Sequence, residues 1–376
     1  MGCGVSRSEK NPVDEVPEHL LATQMAMNGM KTSETVYQAF KRLDQQICKL
    51  EAMCPGPRLT TVDAWIEFLE SDQHKQLIRS QPFLQNPNDP LDFRENLVKM
   101  EKSNIHKLAI QCDIAFNIEK AAKNEEFLAS VSKTYLENIE AELLNDIIEH
   151  GRSRSKALTE SYNTLRLLYA EQDGLLATVS GGTYTSKTEQ RLDDQVEVAR
   201  QIRDKLSAVA EQWNTSANLL KTSAKSAILA AECWNLVQPS RNPNERISQA
   251  LDCRNQVVQS TVALEYSQKA LPHVEFKHVT PRQISAIKHA NLYLLTDLAN
   301  PVRYSHTKRV LDAFQNNVNL AVTWLFDTFN KSLRQDLHHS EDNVISLAKQ
   351  LRNERLEYIA RTIGTNLYVP AVATSK

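Results

Sequence analysis

The chain has 376 residues, 41% hydrophobic and 24% charged, with a formal charge of −2. That balance belongs to an ordinary globular protein and lacks the electrostatic footprint of a nucleic-acid binder. No stretch approaches the roughly 20 apolar residues a membrane-spanning helix needs, and Ser6 to Glu18 is too polar for the apolar core of a secretory signal.

The first residues, Met1-Gly2-Cys3-Gly4-Val5-Ser6-Arg7, match the pattern for N-myristoylation. Removal of Met1 exposes Gly2, and Ser6 supplies the hydroxyl that the pattern requires. Cys3 places a thiol beside the acylated glycine, where S-palmitoylation is expected. One myristoyl chain binds bilayers with only about 10⁴ M⁻¹, so stable anchoring needs a second signal. Arg7 and Lys10 are the only cations among the first ten residues and acids follow, so no polybasic patch is present and Cys3 must be that signal. Residues 1–30 are therefore expected to be a flexible lipid-anchor segment.

Residues 31–364 read as a helical bundle. A first amphipathic helix over 32–52 aligns Val36, Phe40, Leu43, Ile47 and Leu50, and Cys54-Pro-Gly-Pro is expected to stop it. A short helix after Thr61 carries Trp65, Phe68 and Leu69, and Pro82 to Pro90 reads as an irregular loop. A helical pattern then runs from about Asp92 to Gly151, with a break expected near Asn124. Leu128, Val131, Tyr135, Ile139, Leu143 and Ile147 form its apolar face. Gly151 is expected to cap its C-terminus, and a further helix carries Leu158, Tyr162, Leu165 and Tyr169. The Ser180-Gly-Gly-Thr loop allows a sub-boundary near 178–187.

One apolar stripe then continues from Leu192 through Val196, Ala199, Ile202, Leu206, Val209, Trp213, Leu220 and Ile228 to Trp234. A helix over this stretch is roughly 70 Å long. Its second half is rich in Ala and Ser, which lets neighbouring helices approach closely. Helices follow over Glu245–Ala270, Pro281–Ala299, from Pro301, and from about Glu341 to Ile363, with both prolines suited to first turns. Residues 365–376 read as a tail. No alternating strand with hairpin chemistry appears. The expected fold is all-α, an elongated antiparallel bundle of long amphipathic helices.

The chemistry-bearing patterns are sparse. There is no GxxxxGK[ST] and no kinase or GxSxG signature. The groupings His273, Glu275, His278 and His338-His339 do not have metal-ligand spacing. No metal and no cofactor is expected. The six cysteines are scattered, which fits a reducing compartment. Arg152, Ser153, Arg154, Ser155 and Lys156 concentrate charge at what reads as an inter-helix turn, a candidate lipid-contact or regulatory site. Lys349, Arg352, Arg355 and Arg361 enrich one side of the last helix. Ordinary solvated cations account for both clusters more simply.

The expectation is a non-enzymatic scaffold or adaptor, myristoylated and palmitoylated, at the cytoplasmic face of a membrane, with the plasma membrane as its address. Its partners are the inner leaflet and unidentified proteins, and nucleic acid is not among them. A membrane-shaping or lipid-binding helical dimer is the alternative, and an enzyme with an inter-helix site is a third reading.

Overall fold

The computed structural model describes residues 34–80 and 101–362, with Gly364, and the side chains of 76–80 are left aside. Gly2, Cys3, the Pro82–Pro90 stretch and the tail from 365 lie outside the described residues. Among the described residues there are helices and no strand, so the all-α reading holds. The helices are α1 (Val36–Glu51), α2 (Pro55–Ser80), α3 (Lys102–Gln111), α4 (Ile118–Lys123), α5 (Glu125–Ser180), α6 (Lys187–Val237), α7 (Pro243–Ala270), α8 (Pro281–Tyr293), α9 (Pro301–Lys331) and α10 (Leu333–Thr362). A single 3₁₀ turn, Thr296–Leu298, precedes α9.

Local chemistry sets many of the helix ends. Thr35 and Gln38 form a capping box that opens α1, and Thr280 with Gln283 does the same for α8. Asn242 and Asn300 cap α7 and α9 with their side-chain oxygens, each followed by a proline at the first helical position. Asn124 separates α4 from α5, where the sequence placed a break. Gly181 (φ +70°) and Gly182 (φ +80°) turn the chain between α5 and α6 in the left-handed region that favours glycine.

Four boundaries differ from expectation. The first helix stops at Glu51, ahead of Cys54-Pro-Gly-Pro as expected, but the next helix opens at Pro55 rather than after Thr61, because a proline in the first turn gives up an N–H with no intrahelical partner anyway. The helix expected to run on to Ala299 stops at Tyr293. The last helix starts at Leu333, eight residues before Glu341, and only Ser332 separates it from α9. The fourth concerns Gly151, which is not a cap, since α5 runs unbroken for 56 residues. A Cβ at Gly151 would stand 3.1 Å from Ile66 Cγ1 of α2. The glycine is there for close helix packing, which overrides its weak helix propensity of about 1 kcal/mol.

The chain forms two compact units, with boundaries that fall inside α2, α5, α6 and α10. Unit 1 takes residues up to Gly56, Leu158–Asp204 and residues from His338. The loop 181–186 thus lies inside unit 1. Its apolar clusters are small. Val36, Ala39, Phe40 and Leu43 of α1 meet Leu175 of α5 and Ile359 of α10, and Leu192 and Val196 of α6 meet Leu351 of α10.

Ion pairs bind the same elements. Glu51 of α1 lies 2.7 Å from Arg200 and 3.9 Å from Arg203 of α6. Arg355 of α10 reaches Glu189 (3.0 Å) and Asp193 (3.1 Å) of α6, and Arg352 pairs with Asp44 of α1. Arg352 and Arg355, read as members of a solvated cationic side, are therefore tied to neighbouring helices. Burial, with the Glu51 charge beside it, holds the Tyr169 hydroxyl far above its ordinary pKa.

Unit 2 comprises Pro57–Ala157 and Lys205–Leu337. One large apolar cluster joins α3, α5, α6, α7, α8 and α9 around the fully buried Trp234. The Trp234 ring stacks on Tyr304 at 4.8 Å, and the pair trade hydrogen bonds with each other's carbonyls (3.3 and 2.8 Å). Helices α6 and α7 are antiparallel across a seam of small residues. Ser216 meets Ser267, and Ser223 meets Ser260, with hydroxyl–hydroxyl distances of 3.0 Å. Each pair is also tied by hydroxyl-to-carbonyl bonds of 2.8–2.9 Å. The seven-residue spacing on both helices repeats the contact after two turns.

The expected stripe on α6 is only partly the buried one. Leu192, Val196, Ala199, Leu220 and Trp234 are buried, whereas Ile202 and Val209 are exposed. Arg203 and Ser207 take the buried positions between them. Polar groups hold such positions because each has a partner. Arg203 pairs with Asp204 at 2.7 Å, and the Ser207 hydroxyl accepts from Arg58 at 3.1 Å.

Candidate functional site

Among the described residues of unit 2, a groove of about 330 Å³ lies between α2, α5, α6 and α7. Helices α5 and α6 form its long walls. Arg154 of α5 clasps Glu211 of α6 with two hydrogen bonds, Nε at 3.0 Å and Nη2 at 3.3 Å. Arg58 of α2 stands 3.8 Å from the same carboxylate. Glu211 is buried, so two cations neutralise it where water does not. This cluster closes one end of the groove.

From that end the two walls run antiparallel. Leu143 on α5 and Thr222 on α6 line the far end, about eleven residues from Arg154 and Glu211 respectively, which gives a length of about 16 Å. The inner surface is apolar, with Val62 and Trp65 from α2, Ile147 from α5, Leu219 from α6 and Val262 from α7. The outer edges are polar: Asp146 and His150 on α5, Asn214 and Asn218 on α6 are exposed. The Thr215 hydroxyl donates to the Glu211 carbonyl within its own helix (3.0 Å). The lane has an apolar floor, a carboxylate and an imidazole on its α5 edge, amides on its α6 edge and one charged end, so it accommodates an elongated group with both apolar and polar surface.

Trp65 belongs here. It lines the groove and stacks on Phe68 at 5.4 Å, whereas Trp213 and Trp324 pack against the large cluster.

The residues of the basic stretch 152–156 lie on the α5 helix, not in a turn. Arg152 pairs with Glu70 of α2 (2.6 Å) and with Glu149 (2.5 Å). Arg154 belongs to the groove cluster, and Ser155 donates to Asp63 of α2 at 2.6 Å. Ser153 and Lys156 are exposed. The structure thus brings Arg154 to the groove and engages Arg152 and Ser155 with α2. Glu211 and Asn218 carry no motif, so sequence reasoning missed them.

A second buried charge was equally silent. Arg254 of α7 is completely buried and donates to the Ser132 hydroxyl (2.6 Å) and the Leu292 carbonyl (3.2 Å). Burial lowers its pKa to about 10. Its contacts tie α5, α7 and α8 together. Among the described residues no group of three or more His, Cys, Asp or Glu is placed to hold a metal ion, and no helix is long and apolar enough to cross a membrane.

Comparison of the chain with protein-family models, with curated proteins and with solved structures gives no match in any of the three.

Proposed function

We propose that the chain is a non-enzymatic helical scaffold held at the cytoplasmic face of a membrane by acyl groups on Gly2 and Cys3, with the plasma membrane as its expected address. The observation that carries this reading is the N-terminal Met1-Gly2-Cys3-Gly4-Val5-Ser6. It combines a myristoylation pattern with an adjacent thiol, and two acyl chains suffice for stable anchoring where one does not.

The helical body supports the scaffold part of the proposal. Arg152, Arg154, Arg352 and Arg355 are engaged with carboxylates of neighbouring helices, so these cations serve the bundle's own cohesion. That shifts the burden of membrane attachment to the acyl groups. Phe116, Ile118 and Phe127 leave about half their surface exposed (49%, 49% and 50%), which supplies apolar contact area for protein partners.

Fractionation of cells expressing the full chain tests the reading. Wild type is expected with membranes, Gly2→Ala in the cytosol, and Cys3→Ser in weak, reversible association. A Gly2→Ala protein that sediments with membranes as wild type does would overturn it.

A further inference from the structure

The geometry points to Tyr184 as a site of phosphorylation by a protein tyrosine kinase, and to release of the α5–α6 loop from α10 as its consequence. Every residue of this site belongs to unit 1, and none of it requires acylation of Gly2.

Among the described residues, every tyrosine but Tyr184 lies inside a helix. A tyrosine kinase takes its acceptor in a short extended segment, which a helical residue supplies only after local unfolding. The loop 181–186 supplies one directly. Gly181 and Gly182 open it, and no atom lies within 4 Å of where a Cβ on either would stand. Tyr184 itself is 49% exposed. Tyr162 is exposed too, but it sits well inside α5.

Carboxylates hold this loop in place. The Tyr184 hydroxyl donates to Asp193 of α6 at 2.8 Å. Thr185 donates both its N–H (2.9 Å) and its hydroxyl (2.6 Å) to Glu189. The Ser186 hydroxyl donates to Glu354 of α10 at 3.0 Å, which ties the loop to the last helix. The guanidinium of Arg355 is bonded here, and Glu189 and Asp193 already share it (3.0 and 3.1 Å). The cluster therefore carries excess negative charge. Its bond to Asp193, with that carboxylate's charge, holds the Tyr184 phenol above its ordinary pKa, as expected where negative charge on the oxygen is disfavoured.

The kinase transfers the γ-phosphoryl group of ATP to Tyr184 Oη. The new O–P bond forms as the bond to the ADP oxygen breaks, and the phenolic proton passes to the kinase's base. The product carries a charge of about −1.5 to −2 at pH 7 and no longer has the hydrogen that bound Asp193. Beside Asp193, Glu189 and Glu354 it is repelled, and the loop leaves with it. Capture of Arg355 by the phosphate does not restore the balance, because Glu189 and Asp193 then lose their shared partner. Departure of the loop breaks the bond from Ser186 to Glu354, and α10 loses its tie.

The test uses the full chain from eukaryotic cells treated with pervanadate, which blocks tyrosine phosphatases. Phosphopeptide mapping is expected to find phosphate on Tyr184 ahead of every other tyrosine. The purified phosphoprotein is then compared with itself after treatment with a tyrosine phosphatase, by amide hydrogen exchange. Exchange over 181–190 and 351–362 should be about tenfold faster in the phosphorylated form, as for the loss of about one hydrogen bond, while α7 stays unchanged. Tyr184→Phe from the same cells should give the same exchange over 351–362 before and after the phosphatase. No phosphate on Tyr184, or phosphate spread evenly over the helical tyrosines, overturns the site. Phosphate on Tyr184 with unchanged exchange over 351–362 overturns the release of α10.

Discussion

The two units are held by different forces. Unit 2 buries a broad apolar cluster around Trp234 and closes its central helix pair with small residues. Unit 1 has two small apolar clusters, and its helices are joined by Glu51 with Arg200 and Arg203, Arg352 with Asp44, and Arg355 with Glu189 and Asp193. Apolar burial is non-directional and tolerates sliding. Ion pairs at fixed positions specify register, and each fails as a unit when one partner is lost. The difference teaches that long amphipathic helices of similar composition reach stability by separate routes, and that the routes predict opposite sensitivities to salt, pH and truncation.

The sharpest break of unit 2 is Trp234→Ala. It removes a fully buried ring, its stack on Tyr304 and the indole hydrogen bond to the Tyr304 carbonyl, and should cost about 3–5 kcal/mol. Urea denaturation followed by circular dichroism should show a midpoint lowered accordingly and largely insensitive to salt. In unit 1 the matching change is Glu51→Ala, which leaves Arg200 and the buried Arg203 without their shared carboxylate and should cost about 3 kcal/mol. A cost below about 1 kcal/mol would mean that the ion pairs do not hold unit 1, and the contrast would collapse.

A smaller effect within unit 2 tests the sign of its electrostatics. Hydrogen bonds from Arg303 hold the Glu125 carboxyl below its ordinary value of 4.5. A depressed folded-state pKa contributes stability that is full above 4.5 and lost as pH falls through the folded value. Glu125→Gln should therefore cost about 1–2 kcal/mol at pH 7, with a penalty that shrinks below about pH 4. A pH series of thermal midpoints for both proteins checks this, and a penalty that grows on acidification would contradict it. The smallest expected effect is at Arg254. Its buried guanidinium has no carboxylate partner among its hydrogen bonds, so Arg254→Met should leave the thermal midpoint unchanged or raise it.

Much of this architecture was legible from residue patterns. Pro281 and Pro301 mark true helix starts, Gly181-Gly182 a true turn, and the Ser/Ala-rich half of α6 does pack closely against α7. What was not legible has a common physical cause. Gly151 looks like a breaker locally, and only the approach of Ile66 shows why a glycine sits inside an unbroken helix. Arg203, Arg254 and Glu211 look like surface residues, and partners distant in the chain show why they are buried: Glu51 for Arg203, Ser132 for Arg254 and Arg154 for Glu211. The groove was invisible for the same reason. Four separate helices line it with residue types common on any amphipathic surface, and tertiary placement alone brings them together.

The central claim is that acyl groups at the N-terminus carry this bundle to a membrane. Mass spectrometry of the N-terminal peptide, from the full chain expressed in eukaryotic cells, tests it most directly. The account predicts a peptide that begins at Gly2, bears a myristoyl amide there, and carries a hydroxylamine-sensitive thioester on Cys3. A peptide that retains Met1, or begins at Gly2 without an acyl chain, contradicts it.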